Sequence, residues 1–336
     1  MLKKFYEKVK AFIKSEYKFI LFLVIFYVVC AWPVNYYVIV SGGISDISER
    51  VVVEEGHSSD GSFNLSYVSE LKGTTVSYLL SYVMPHWKRV SMDDYKYTTD
   101  EDYDDIEFRS SLDLKYSNSN AIYYAYTLAG KPCELKKTDI YVIVNFPGYE
   151  NPLEVGDLLL AVDGKHFETL KEYQEYIQNF DANNILVKVK RDGKEQEVSC
   201  KLYEEDGKKL LGVGLQADNT YETFPEVQFK FKSNESGPSA GLVTTLSIYD
   251  QLTKGDLTKN KKIAGTGTIE ADGSIGEIGE VEYKLLGAVD GGADIFLVPA
   301  GDNYKTCKKV KKEEKLDIKL IPVKTIYDAV AKLQKI

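Results

Sequence analysis

Two positions in this sequence have the residue types and spacing for hydrolytic chemistry. Ser239 stands in the run Ser236, Gly237, Pro238, Ser239, Ala240, Gly241, and 45 residues later Lys284 sits among Val281, Leu285 and Ala288. A serine hydroxyl becomes a nucleophile when a neighbouring base takes its proton, and a lysine amine can act as that base once it is neutral. No histidine follows His166, so a serine–histidine pairing would have to borrow its base from a distant part of the chain. The pattern predicts a serine–lysine hydrolase, with Ser239 as nucleophile and Lys284 as general base.

The flanking residues fit those roles. Residues 229–232 read as a strand, and a helix is predicted from Ala240 through Leu242, Leu246 and Tyr249 to about Leu252. Gly237 permits backbone angles closed to other residues, and Pro238 suits a helix start. Ser239 is then expected where open N–H groups and the helix dipole stabilise an oxyanion, with Ser236, Gly237 and Ala240 in support. Read alone, this S-x-x-S spacing is better explained by Ser236 or Ser239 merely capping a helix. Gly237 to Gly241 also matches the G-x-S-x-G elbow of α/β-hydrolases, but that fold needs a histidine downstream and none occurs. Residues 263–270 read as a threonine-rich strand and 271–274 as a turn. In the helix after it, Val281, Lys284, Leu285 and Ala288 share one face. A buried ammonium is costly, so desolvation favours the neutral amine that a base requires. Taken by itself, such a lysine could also reach water on its methylene stem.

The remainder of the chain must hold these residues in place. Its 336 residues leave room for about two domains, and 44% apolar residues are enough for real cores. A net charge of −9 argues against nucleic-acid binding, which needs a basic face. The acidic run 100–105 lacks the pattern of a calcium loop and reads as solvated loop. Cys30, Cys133, Cys200 and Cys307 have no metal-binding spacing, so a zinc site is not expected; the expectation for the chain is that it uses neither metal nor cofactor.

Residues 1–18 carry six lysines against two glutamates, while 19–40 carry no charge. That stretch is long enough to span a bilayer as a helix, and Trp32, Tyr36 and Tyr37 mark its far end. The expectation is an uncleaved single-pass transmembrane anchor over 19–40 with 1–18 cytoplasmic and everything after Ser41 outside the cell membrane. A cleaved signal peptide fits less well, because the apolar stretch is long and no A-x-A-like site follows it cleanly.

Residues 41–136, on this expectation an extracytoplasmic N-terminal region, are weakly patterned: strands are expected at 51–54, 62–67 and 75–83, and a helix over 106–129. From 137 the signals sharpen. Strands are expected at 140–144 and 155–164, an amphipathic helix over 170–177, and two further strands joined by the Asp192–Gly193 turn.

The segment 153–165, with Gly156, Asp157, three leucines, Val162 and Gly164, resembles a PDZ domain of the bacterial protease-associated kind, over about 137–205. Such a domain binds an extended chain end at a strand edge. The stretch 134–138 before Ile140 lacks the glycine loop that usually holds a terminal carboxylate. Residues 206–336 resemble the proteolytic domain of Lon-type peptidases, in the Ser236–Gly241 run, Gly265 to Ile269, the Asp272–Gly279 turn, the Lys284 helix, and 291–300. On that pattern Ser239 falls on the nucleophile, Lys284 on the base, and Thr266 on a threonine that supports the lysine. Ser236 stands where aspartate is frequent, and Glu280 replaces a glycine before the lysine helix. No GxxxxGK[ST] occurs, so the family's ATP-driven unfoldase is missing from this sequence.

Together the resemblances imply an α+β multidomain chain: an N-terminal transmembrane helix, a PDZ-like β-rich domain and a Lon-type proteolytic α/β domain, like the membrane-anchored PDZ–Lon peptidases of Gram-positive bacteria. The implied activity is an ATP-independent serine endopeptidase of the cell surface, cutting peptides or unstructured segments such as a secreted peptide. Its partners would be peptide substrate and membrane, without nucleic acid; a homo-oligomer is implied by analogy. The competing expectation is a catalytically silent PDZ adaptor or scaffold.

Overall fold

The uncharged N-terminal stretch divides between a helix and a strand, which changes what it can do. A computed structural model describes residues 2–336. Helix α1 (Leu2–Ala31) ends before Pro33, whose ring disfavours helical angles in the residue ahead of it. The β-branched and aromatic residues that follow instead form strand β1 (Pro33–Asp46). Uncharged helix is therefore confined to residues 19–31, about 20 Å at the helical rise, against a hydrocarbon core of about 30 Å. Among the described residues no helix is long and apolar enough to cross a membrane. The transmembrane helix expected over 19–40 is corrected on this ground, and with it the single-pass anchor and the extracytoplasmic placement derived from it. The fold class becomes mixed α/β without that span.

The chain divides into two units, one comprising residues up to Ser41 with Ser69–Tyr95, the other Gly42–Val68 with Lys96–Ile336. Later elements of the N-terminal part are β2 (Val51–Val53), β3 (Ser62–Thr74), helix α2 (Thr75–Leu80) and β4 (Lys88–Ser91). In the smaller unit β1 pairs antiparallel with β4, from Tyr36 opposite Ser91 to Ile39 opposite Lys88. The strand expected over 75–83 begins instead as α2. Thr74 and Ser77 form a reciprocal capping box there, which satisfies the first open N–H groups and favours helix.

In the larger unit α3 (Tyr103–Ala129) opens on a capping box between Asp102 and Asp105 and closes on left-handed Gly130. Next comes a five-stranded antiparallel module: β5 (Cys133–Asn145), β6 (Leu158–Val162), helix α4 (Leu170–Gln178), β7 (Asn184–Arg191) and β8 (Lys194–Lys201). The short hairpin β9 (Tyr203–Glu205) and β10 (Lys208–Leu210) leads to β11 (Val213–Thr223), which returns beside β5. The strand order is β11-β5-β6-β7-β8 around Val142, Leu159, Tyr173, Val187 and Cys200. The sheet thus extends at both ends beyond 137–205.

The C-terminal part contributes β12 (Val227–Phe229), α5 (Gly241–Leu252), β13 (Lys262–Gly265), β14 (Thr268–Ile269) and β15 (Ile275–Gly276). It finishes with α6 (Val281–Asp290), β16 (Ile295–Pro299), α7 (Asp302–Glu313), β17 (Lys319–Val323) and α8 (Ile326–Leu333). β17, β16 and β13 run parallel, and residues 62–65 of β3 extend the parallel set beside β13. β2 pairs with β12. Strand β16 is buried along its whole length, as befits a parallel strand covered on both faces. Phe63, Leu242, Leu246, Ile263 and Leu297 share one core; Val281, Leu285, Phe296 and Cys307 share another. Sequence on both sides of the five-stranded module therefore builds the framework around Ser239.

Candidate active site

The turn carrying Ser239 is fixed from two directions. Gly237 has φ +84°, a left-handed conformation that favours glycine, and its N–H donates to the Ser110 carbonyl of α3 at 2.9 Å. The Pro238 carbonyl accepts from Ser117 Oγ of the same helix at 2.9 Å and from Gly241 N–H at 3.2 Å. On the far side, the Ser239 carbonyl accepts from Gly267 N–H at 2.9 Å and from Thr266 Oγ1 at 3.3 Å. Leu242 N–H closes the frame on the Gly267 carbonyl at 3.1 Å. The serine is thereby held at the entrance of α5, whose first N–H groups lack carbonyl partners within the helix.

Lys284 arrives from α6. Its residue is 6% exposed, and Nζ lies 2.9 Å from Ser239 Oγ and 3.4 Å from Thr266 Oγ1. The helix is seated by Ser66 of β3, a fully buried residue whose hydroxyl donates to the Lys284 carbonyl at 2.5 Å. Thr266 is fully buried as well. The expected threonine-rich strand is broken where Thr266 and Gly267 separate β13 from β14, and that break points Thr266 toward both Ser239 and Lys284. Ser239, Lys284 and Thr266 are thus brought together. Gly237 and Ala240 lie on either side of Ser239 in this turn, Ala240 being buried. Ser236 is exposed.

Several supporting residues have no obvious mark in the sequence. Ser110, Ser117, Asn120 and Tyr124 recur at helical spacing along α3, but a polar stripe on a helix ordinarily faces solvent and names no partner. Asn120 Nδ2 donates to the Ile269 carbonyl at 2.9 Å and Tyr124 Oη to the Ala271 carbonyl at 2.8 Å, which holds β14 and the turn after it. Burial pushes the Asp113 carboxyl up, and the Gln216 amide at 3.2 Å opposes that shift, as does the Arg109 charge. Arg50 Nε grips Glu235 ahead of the nucleophile turn at 2.9 and 3.0 Å.

The acidic run 100–105 is not wholly solvated. Glu101 is 5% exposed and pairs with Arg109, 4% exposed, at 2.5 Å.

Residues 232–335 match the family model of the Lon protease (S16) C-terminal proteolytic domain. Over 97 residues the chain is 37% identical to a Lon protease of Neorickettsia sennetsu, covering 29% of this chain and 11% of that protein. A Lon protease of Mesomycoplasma hyopneumoniae is 35% identical over 135 residues, covering 39% and 15%. The chain therefore spans only a small part of the length of these curated relatives. Among solved structures, similarity extends to the PDZ domain of an SdrC-like protein from Listeria monocytogenes: 22% identity, 24% of this chain, 92% of that one, TM-score 0.23. The corresponding domain from Listeria innocua is 26% identical, covering 23% and 92%, with TM-score 0.22.

Proposed function

We propose that this chain is a serine endopeptidase that cuts peptides or unstructured protein segments with a Ser239–Lys284 dyad and needs no nucleotide. The observation that carries this reading is the 2.9 Å approach of Lys284 Nζ to Ser239 Oγ. The likeness of 232–335 to the Lon proteolytic domain supports the same chemistry.

The steps follow from the geometry. Neutral Lys284 takes the Ser239 proton as Oγ attacks the scissile carbonyl, forming a C–O bond and a tetrahedral oxyanion. The N–H groups of Ser239 and Ala240, at the positive end of α5, receive that negative charge. The Lys284 ammonium then protonates the departing amine as the C–N bond breaks. Water, losing a proton to Lys284, then adds to the acyl carbon; the acyl C–Oγ bond breaks and Lys284 returns that proton to Ser239 Oγ, which frees the acid product and restores both residues. Thr266, bonded toward both partners, keeps the amine directed at the hydroxyl. Substrate must reach the site as an extended chain, so flexible segments are favoured over folded ones.

The experiment is cleavage of an unstructured peptide by the full chain, compared with Ser239→Ala and Lys284→Ala. The reading expects both variants to be inactive. Equal cleavage by Ser239→Ala would overturn it.

A further inference from the structure

We propose that Ser117 is a positioning residue for the nucleophile, setting the direction of the Ser239 N–H by holding the carbonyl of the preceding residue. The inference rests on the dyad reading above and adds a residue that lies outside 232–335, on a helix preceding the five-stranded module.

Ser117 is 1% exposed, and its hydroxyl donates to the Pro238 carbonyl at 2.9 Å. That carbonyl and the Ser239 N–H belong to one planar trans peptide unit, in which C=O and N–H point in opposite directions. Fixing the oxygen toward α3 therefore aims the N–H away from α3. This is the N–H placed to receive the oxyanion, and such a donor is effective only when it is oriented before the reaction begins. The Gly237 N–H bond to Ser110 prevents the turn from swivelling about its other end. The same hydroxyl is wedged against the first turn of α5: a Cβ added at Gly241 would stand 2.6 Å from Ser117 Oγ. Ser117 thus touches the turn on its rear side, while Thr266 and Gly267 hold the Ser239 carbonyl from the other.

Helix α3 supplies its own control. Ser119, also buried, faces the module and donates to the Asn219 carbonyl of β11 at 2.6 Å. Ser117→Ala and Ser119→Ala each remove one buried hydroxyl from one helix, and only the first removes it from the nucleophile turn.

The test is kcat, KM and thermal midpoint of the full chain on one unstructured peptide. It compares wild type, Ser117→Ala, Ser117→Thr, Ser117→Cys, Ser119→Ala and Ser239→Ala. Ser117→Ala should lower kcat about tenfold, the size of one lost oriented hydrogen bond, with KM within about twofold. Ser117→Thr, which keeps the hydroxyl, should recover most of kcat. Ser117→Cys keeps the shape with a weak donor, so it should stay folded yet lose rate, which covers the case of an alanine variant that does not fold. Ser119→Ala should retain kcat. Wild-type kcat in folded Ser117→Ala or Ser117→Cys, or an equal loss in folded Ser119→Ala, overturns the proposal while Ser239-dependent cleavage stands. Cleavage that survives Ser239→Ala overturns the dyad and this inference together.

Discussion

Lys284 Nζ meets Ser239 Oγ at 2.9 Å from a residue only 6% exposed, so the amine approaches the hydroxyl from inside the protein and not from solvent. The main chains of the two residues are anchored separately, Lys284 by Ser66 and the Ser239 turn by Ser110, Ser117 and Gly267.

A base in that position must be neutral to act. The rate on one unstructured peptide should rise with pH as Lys284 loses its proton. Lys284→Arg should be as inactive as Lys284→Ala at every pH, because a guanidinium keeps its proton throughout this range. Initial rates from pH 6 to 10 check this, and substantial cleavage by Lys284→Arg would require another base.

Gly241, in the first turn of α5, lies hard against its neighbours. A Cβ there would lie 2.6 Å from both Ile269 Cγ2 and Ser117 Oγ, and 2.8 Å from Ile269 N. A backbone atom cannot swing aside as a side chain can. Gly241→Ala should therefore destabilise by about 1–3 kcal/mol, despite alanine's better helix propensity of about 1 kcal/mol. Denaturant unfolding gives the first quantity and kcat should fall with it; a more stable variant would show that α5 has room to shift.

How much of this was legible in the sequence depends on how local each signal is. Thr266 was singled out only by the resemblance to the Lon-type proteolytic domain, whereas Ser239 and Lys284 could be singled out because glycines, a proline and an apolar helical stripe announce their surroundings within a few residues. The Asp192–Gly193 turn and α4 were legible for the same reason. Ser66 and Ser117 were not, since each acts through one bond to a carbonyl far along the chain, and a serine on a strand or helix has no partner written beside it. The strand β3 lies nearly 200 residues from β13, so its share in the catalytic framework could not be read from 206–336. The uncharged stretch 19–40 misled because hydropathy alone does not register the helix-to-strand change at Pro33. The acidic run 100–105 misled because charge density conceals the pairing of Glu101 with Arg109.

Asp250, buried at the end of α5, gives stability a pH dependence. Burial pushes its carboxyl up, while bonds from Ser59 and the Leu257 N–H oppose the shift only in part. A carboxyl whose folded pKa exceeds its unfolded value contributes stability at low pH that is lost as pH rises through the folded pKa. Asp250→Asn keeps an acceptor for Leu257 N–H but cannot ionise. Its thermal midpoint should therefore gain on wild type as pH rises from about 4 to 7. A constant offset across that window would mean that Asp250 ionises as readily in the folded as in the unfolded chain.

Glu280 introduces the lysine helix in a conformation that suits a different residue. Its φ is +60° and ψ is 31°, and its carbonyl accepts from Tyr283 N–H at 3.1 Å and from Lys284 N–H at 3.2 Å. The left-handed turn is thus built into the start of α6 and cannot relax without disturbing the first bonds around the base. A side chain in that region costs about 1–2 kcal/mol, whereas glycine pays little there. Glycine also loses more unfolded-state freedom than alanine, by about 0.4–1 kcal/mol. The first term is the larger. Glu280→Gly and Glu280→Ala both delete whatever the carboxylate contributes, so their difference isolates the backbone. Glu280→Gly should be the more stable of the two by about 0.5–1 kcal/mol in denaturant unfolding, the reverse of the usual order, and kcat should stay at least as high as in Glu280→Ala. If the alanine variant is the more stable, the left-handed turn is not held by the fold, and Lys284 owes its placement to Ser66 and the α6 core alone.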